Sequence, residues 1–184
     1  MFQANQLPGG PEPPPLAEIQ RRVLRFLREE AGFAQVFTVN RAGFPVGRTM
    51  VAPINDDWSV DLVQRKVHRR IAHWQRHPHT EIVWVGPPHR SNRNLRPHVY
   101  DWCVQVPRVV FLRGRAEFLS PEDLVACYER QTALNRAEGR DLAPRRDREN
   151  ILAELIGVRI RPLQVRAEGF GPGPESYTWR VEVP

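Results

Sequence analysis

Between positions 16 and 31 the segment LAEIQRRVLRFLREEA returns apolar side chains at spacings of three and four: Leu16, Ile19, Val23, Phe26 and Leu27. That period is one face of an amphipathic α-helix, and Gly32 supplies a stop after it. The period then changes to that of strands. AQVFTVN (34–40) is a β-type run, RAGF (41–44) a turn and PVGRTMVAPI (45–54) the returning strand, so 34–54 predicts a hairpin. NDD (55–57) turns the chain into WSVDLV (58–63), which predicts a three-strand meander.

The helical period returns in KVHRRIAHWQRH (66–77), where Val67, Ile71 and Trp74 form a narrow apolar stripe among bases and Pro78 ends the helix. TEIVWVG (80–86) is again a β-run. The next 21 positions, 87–107, hold four prolines and no clean period. They predict a long excursion, of the kind that often carries function. RVVFLRGRAEFL (108–119) reads as a long strand. SPED (120–123) opens a helix with a Ser N-cap and Pro at its first position, running to about Asn135. After the polar connector RAEGRDLAPRRDREN, residues 151–170 pass from a helical turn into strand, and ESYTWRVEV (175–183) closes the chain.

Strands with inserted helices predict a mainly β (α+β) fold, an antiparallel barrel with peripheral helices, because closure removes sheet edges. Apolar residues at 41% and charged residues at 26% fit one globular domain over 16–184, with 1–15 as a flexible N-terminal arm. No apolar run is long enough for a membrane span, and the first fifteen residues have neither a basic nor an apolar secretory region. Cys103 and Cys127 form no CxxC pair and predict a reducing, cytoplasmic setting.

The net charge of +6 calls for an anionic partner or a solvated surface. Lys66 is the only lysine, and arginine favours planar, bidentate contacts to phosphate or carboxylate. A non-enzymatic cofactor- or nucleic-acid-binding β-barrel is the alternative, with nucleic acid the weaker partner, since no stretch interleaves exposed aromatics with arginine as single-strand binders do. His73 and His77, four apart with His79 after them, are spaced for a metal but lack a neighbouring carboxylate set. No GxSxG elbow is present, and GFGPGP (169–174) lacks the Lys-Ser/Thr of a phosphate loop.

The segment 34–86 supplies the strongest clue. A hairpin turning at NRAGFP, Arg-Thr-Met on its second strand, a further strand, then a basic helix ending in RHP resembles the pyridoxamine 5′-phosphate oxidase-like split-barrel family. In that family the helix carries a pattern like S-R-K-x-x-x-[IL]-x-x-N-P. Aligned on Pro78, His77 stands at the Asn, Trp74 at the apolar position, Arg70 at the Lys, Arg69 at the Arg and His68 at the Ser. FLRGRAEFL is similar to the hydrophobic-x-G-x-A-E strand, and RIRPLQVRAEGF with YTWRVEVP to the closing strands.

The resemblance implies a split antiparallel β-barrel of Greek-key type that binds FMN, or the deazaflavin F420, at the interface of a homodimer and transfers hydride to or from a small molecule. It places Arg48, Thr49, Met50, Val51, Gln64, His68, Arg69, Arg70 and Trp179 around the cofactor. A flavin phosphate is a dianion needing several converging donors, which Arg48 from a strand and Arg69 and Arg70 from the start of a helix can supply. Backbone groups of Thr49 and Met50 would follow the ring edge, and Gln64 would reach the ribityl chain or ring. A substrate-phosphate segment like Arg-Pro-x-x-S-Q is missing, which argues against pyridoxamine phosphate as substrate. The excursion, with Arg90, Arg93, Arg96, His98 and Tyr100, is positioned in sequence to be a lid.

Overall fold

The predicted first helix forms, and its apolar face sets the core. In the computed structural model, which describes residues 3–5, 12–87, 107–137, 139, 145–171 and 176–181, helix α1 (Leu16–Glu29) buries Ile19, Val23, Phe26 and Leu27. It ends three residues before Gly32, where the N–H groups of Glu30 and Ala31 both donate to Phe26 O. The hairpin follows as β2 (Ala34–Val39) and β3 (Pro45–Met50). Its turn is held by Asn40 Oδ1, which accepts from the N–H groups of Ala42 and Phe44.

Strand β4 (Val60–Arg65) corrects the expected meander: it pairs with β7 (Leu155–Glu168), not with β3. The connection before it is a turn in which Trp58 takes a left-handed backbone, φ 64°. That conformation costs energy for a bulky residue, and Trp58 is held there, buried, edge-on to Trp179 at 5.3 Å. Helix α2 (Arg70–Arg76) is shorter than the predicted 66–77, because 66–69 are spent turning the chain out of β4.

Strands β5 (His79–Gly86) and β6 (Arg108–Phe118) then form a long antiparallel pair. The excursion between them lies outside the described residues apart from its flanking prolines, and Cys103 with it. Arg108 pins its base, donating to Pro87 O at 2.9 Å and to both oxygens of Glu30.

Ser120 caps α3 (Pro121–Ala137) as expected, accepting from the N–H of Asp123 at 3.1 Å. α4 (Arg148–Glu154) starts inside the stretch read as connector, capped by Asp147. The chain closes with β7 and β8 (Ser176–Arg180). Within the expected N-terminal arm, β1 (Gln3–Asn5) pairs with β8.

Among the described residues eight strands form one antiparallel sheet in the order β1-β8-β7-β6-β5-β2-β3, with β4 branching from β7. Fourteen residues make β7 long enough for two neighbours on one edge: β4 along 155–160 and β8 along 164–168. Opposite, β6 pairs with β7 along 158–168 through a bulge at Arg113/Gly114. Gly114 is required there, since a Cβ would lie 2.5 Å from Arg161 O and 2.6 Å from Ile160 Cγ2. The sheet forks and is not closed, an α+β architecture of split-barrel type. Its inner face and α1 form the main core; α3 and α4 cover the other side of β4 and β7 around Leu124, Val125, Ile151 and Leu155.

Candidate functional site

Arg48 owes its position to the β2–β3 register. Val36 lies opposite Arg48 and Ala34 opposite Met50, so both site residues share the face of buried Ala34 and Val36. Thr49 points the other way, where its Oγ1 accepts from Gln35 Nε2 at 2.6 Å. β3 ends the sheet, which leaves Arg48 exposed.

Helix α2 closes over that face. It buries Ile71 and Trp74, and Thr38 Oγ1 on β2 lies 2.9 Å from His73 Nδ1. Packing of α2 on β2, rather than a meander, therefore brings Arg70 to β3. Its Nη1 lies 3.5 Å from Met50 Sδ, its Nη2 3.1 Å from His68 Nδ1, and its Nε is buried without a partner.

The local electrostatics are one-sided. Desolvation, then the charge of Arg48, holds the Arg70 pKa below the ordinary arginine value. Desolvation, then Arg70, Arg65 and Arg48, lowers that of His68. Desolvation, then Arg76 and Arg48, does the same to His73. Among the described residues, Arg48, Arg65, Arg69, Arg70 and Arg76 form no ion pair, although at least ten other arginines do.

Gln64 extends the inward-facing series Val60, Leu62 to the end of β4, just before the turn that carries His68 and Arg69. It is 4% exposed, and neither its amide oxygen nor its nitrogen has a partner. Buried amides are normally satisfied. A polar side chain left this way, six residues before an arginine with an unpaired Nε, fits a site shaped for a polar ligand.

Of the residues predicted for the site, Arg48, Met50, His68 and Arg70 are brought together. Arg69 is the exposed N-cap of α2, with no side-chain bond of its own among the described residues. Val51 is exposed just past β3. Trp179 is buried in the core against Trp58, its Nε1 without a partner.

Two features had no sequence signal. The His73–Thr38 contact spans 35 residues. Phe33, Val51 and Val85 lie side by side just beyond the Ala34–Met50 and Ala34–Trp84 pairs, at 65%, 57% and 58% exposure. A hydrophobic cluster at three neighbouring strand ends is invisible until the register is known.

A forked antiparallel sheet with a short basic helix laid across its edge hairpin defines a recognisable class: the chain has the pyridoxamine 5′-phosphate oxidase-like split-barrel fold. Among solved structures it resembles a candidate 5-nitroimidazole antibiotic resistance protein from Bacteroides thetaiotaomicron, at TM-score 0.58 and 13% identity over 100% of this chain and 93% of the other. It also resembles a candidate pyridoxamine 5′-phosphate oxidase from Listeria innocua, at TM-score 0.54 and 16% identity over 81% and 97%. An F420 reductase is similar at TM-score 0.51 and 17% identity, over 77% and 94%. No family profile matches the sequence, and no curated protein does.

Proposed function

We propose that this chain is a flavin-dependent oxidoreductase that holds FMN by its phosphate between β3 and the start of α2, as a cytoplasmic homodimer. One observation carries the reading: Arg70 reaches Met50, which shares a face of β3 with Arg48, no carboxylate pairs with either arginine among the described residues, and the Arg70 Nε is buried without a partner. Two like charges held close destabilise the fold unless an anion joins them. A phosphate dianion would turn that repulsion into charge-assisted hydrogen bonds.

The residues fit the group. Arg48 and Arg70 would bind the phosphate, and Gln64, with both a donor and an acceptor to spare, would meet ribityl hydroxyls or the ring edge. Met50 offers a soft apolar surface, and the backbone of Thr49 and Val51 continues along it. His68 and Arg69 would stand beside the phosphate in this reading, and Trp179 belongs to the closing strands that the resemblance sets near the cofactor. When bound, flavin supplies hydride acceptance or donation at its ring. The chain's part is to bind, orient and exclude water from a small substrate. The exposed Phe33, Val51 and Val85, at three neighbouring strand ends, offer an apolar surface that a second copy would cover.

A second reading, F420 in place of FMN, draws on Arg65, Arg69 and Arg76, further arginines without ion pairs that would suit a longer acidic tail. The visible spectrum of the purified protein tests both. Bands near about 370 and about 450 nm identify FMN, and a single band near about 420 nm identifies F420. A protein that stays colourless after incubation with either cofactor overturns both readings.

A further inference from the structure

Arg70 is held where it is by a base. Its Nη2 lies 3.1 Å from His68 Nδ1. Guanidinium nitrogens only donate, so Nδ1 must present its lone pair, and the geometry assigns His68 as neutral imidazole with its hydrogen on Nε2. A doubly protonated ring would set N–H against N–H, and the contact would break. The charged groups acting on the ring come from three elements, Arg70 on α2, Arg65 at the end of β4 and Arg48 on β3, and all are positive. The ring is also exposed, so protons reach it from water.

The position is chemically distinctive. Serine, which the resembling pattern carries where His68 stands, can accept from an arginine or donate to a phosphate at any pH without changing charge. Imidazole can do only one of these at Nδ1 at a time, and a proton decides which.

We infer that His68 couples anion binding at the Arg48–Arg70 site to the uptake of a proton: neutral, it accepts from Arg70; when an anion takes over that guanidinium, it becomes a cationic donor to the same anion. The inference rests on the proposed phosphate site. At most one proton is taken from solvent per anion bound, and only a fraction of one where the anion-free and anion-bound pKa values lie close, while no covalent bond forms or breaks. Desolvation and the three arginines hold the free ring below the ordinary histidine pKa, and an arriving dianion opposes the arginines directly. Linkage is reciprocal: whatever the anion adds to the ring's proton affinity, the proton adds to anion affinity. Binding therefore tightens as pH falls through the ring's anion-bound pKa and levels off below its anion-free value.

The test uses the full chain, wild type and His68→Ser, with FMN and inorganic sulfate as probes. Sulfate is a dianion that does not titrate in the histidine range, and the titration of the FMN phosphate itself cancels in the ratio of the two proteins. FMN affinity is followed by flavin fluorescence from about pH 8 to about pH 5.5, and the wild-type ring is titrated by NMR with and without sulfate. The ratio of wild-type to His68→Ser affinity is expected to rise about 3- to 10-fold on lowering the pH. Sulfate should raise the His68 pKa. Parallel FMN profiles in the two proteins overturn the coupling while leaving the flavin reading intact. FMN that binds neither protein, with a His68 pKa still raised by sulfate, keeps the coupling and removes the flavin. A His68 titration that sulfate leaves unmoved overturns the coupling.

Discussion

Two groups of arginines flank β4, built from the same residue type for opposite ends. On one face Asp61, 1% exposed, accepts from Arg159 at 2.7 and 2.9 Å, from Arg130 at 2.8 Å and from Asn55 at 3.2 Å. Burial alone would raise its pKa, but the Arg159 and Asn55 hydrogen bonds and the charges of Arg159 and Arg130 outweigh this and hold it below the ordinary aspartate value. Three residues along, an odd step that puts the side chain on the other face, the Gln64 amide has no partner among the described residues, and beyond it Arg70 and Arg48 have no carboxylate among them. The first group is closed around an acceptor from the chain itself. The second has no such acceptor among the described residues. An arginine's role here is decided by whether the fold supplies its anion.

Removing the closed group's anion should produce the largest effect. Breaking a buried pair from one side costs about 3–5 kcal/mol, less where the cations keep solvent access, as Arg159 and Arg130 do. Asp61→Ala is therefore expected to lose about 2–4 kcal/mol in urea unfolding, with FMN affinity nearly unchanged wherever the variant is folded. A variant of wild-type stability would show that the Asp61 network is not structural. In the open group the effects should swap. Arg70→Gln is expected to weaken FMN binding by about 10- to 100-fold, the worth of one charge-assisted hydrogen bond. Its melting temperature should hold or rise, because repulsion with Arg48 is relieved. A fall in stability with no fall in affinity would erase the distinction.

Much of this was readable from sequence, wherever the signal is local. The 3.6-residue period marked Leu16, Ile19, Val23, Phe26 and Leu27 as one apolar face, and the last four are buried while Leu16 is half-buried against the core. Asn40 and Ser120 mark a turn and a cap because their side chains bond to backbone within a few residues. Pairings between distant segments left no such trace. β4 follows the hairpin as a meander strand would, yet finds its partner about a hundred residues later. Gly114 is visible as a glycine within a strand, but what forbids a side chain there is Arg161 O on another strand. The site divides in the same way. Arg48 and Arg70 carried the resemblance, whereas the missing partners of Gln64 and the hold of His68 on Arg70 appear only when the surroundings do.

A smaller effect probes Gln64 itself. Leucine has nearly the same volume and no amide to satisfy, so Gln64→Leu should raise the stability of the cofactor-free protein by about 1 kcal/mol, at the low end of the cost of an unpaired buried polar group. The same change should weaken FMN binding several-fold. Gain in stability with loss of ligand is what distinguishes a site residue from a core residue. If Gln64→Leu is destabilising, the amide has a structural partner and Gln64 leaves the proposed site.

The finest test separates the two groups by pH. His68 and His73 have folded pKa values below their ordinary ones, so the unfolded chain takes up protons first, near about pH 6.5. Stability of the cofactor-free protein should therefore decline as pH falls through that value, until the folded rings are protonated as well. Asp61, also lowered, acts in a separate window. Its contribution is complete above about pH 4, the unfolded aspartate range, and is lost as pH falls from there through its folded pKa. Urea midpoints measured across both windows should show two slopes. His68→Ser should flatten only the neutral one, and Asp61→Asn only the acidic one. Saturating sulfate should shrink or reverse the neutral slope, because an anion beside Arg48 and Arg70 favours the protonated ring in the folded state, and should leave the acidic slope as it was. A sulfate effect confined to the acidic window would mean that the anion is drawn to the Asp61 arginines, and the contrast between the two faces of β4 would be lost.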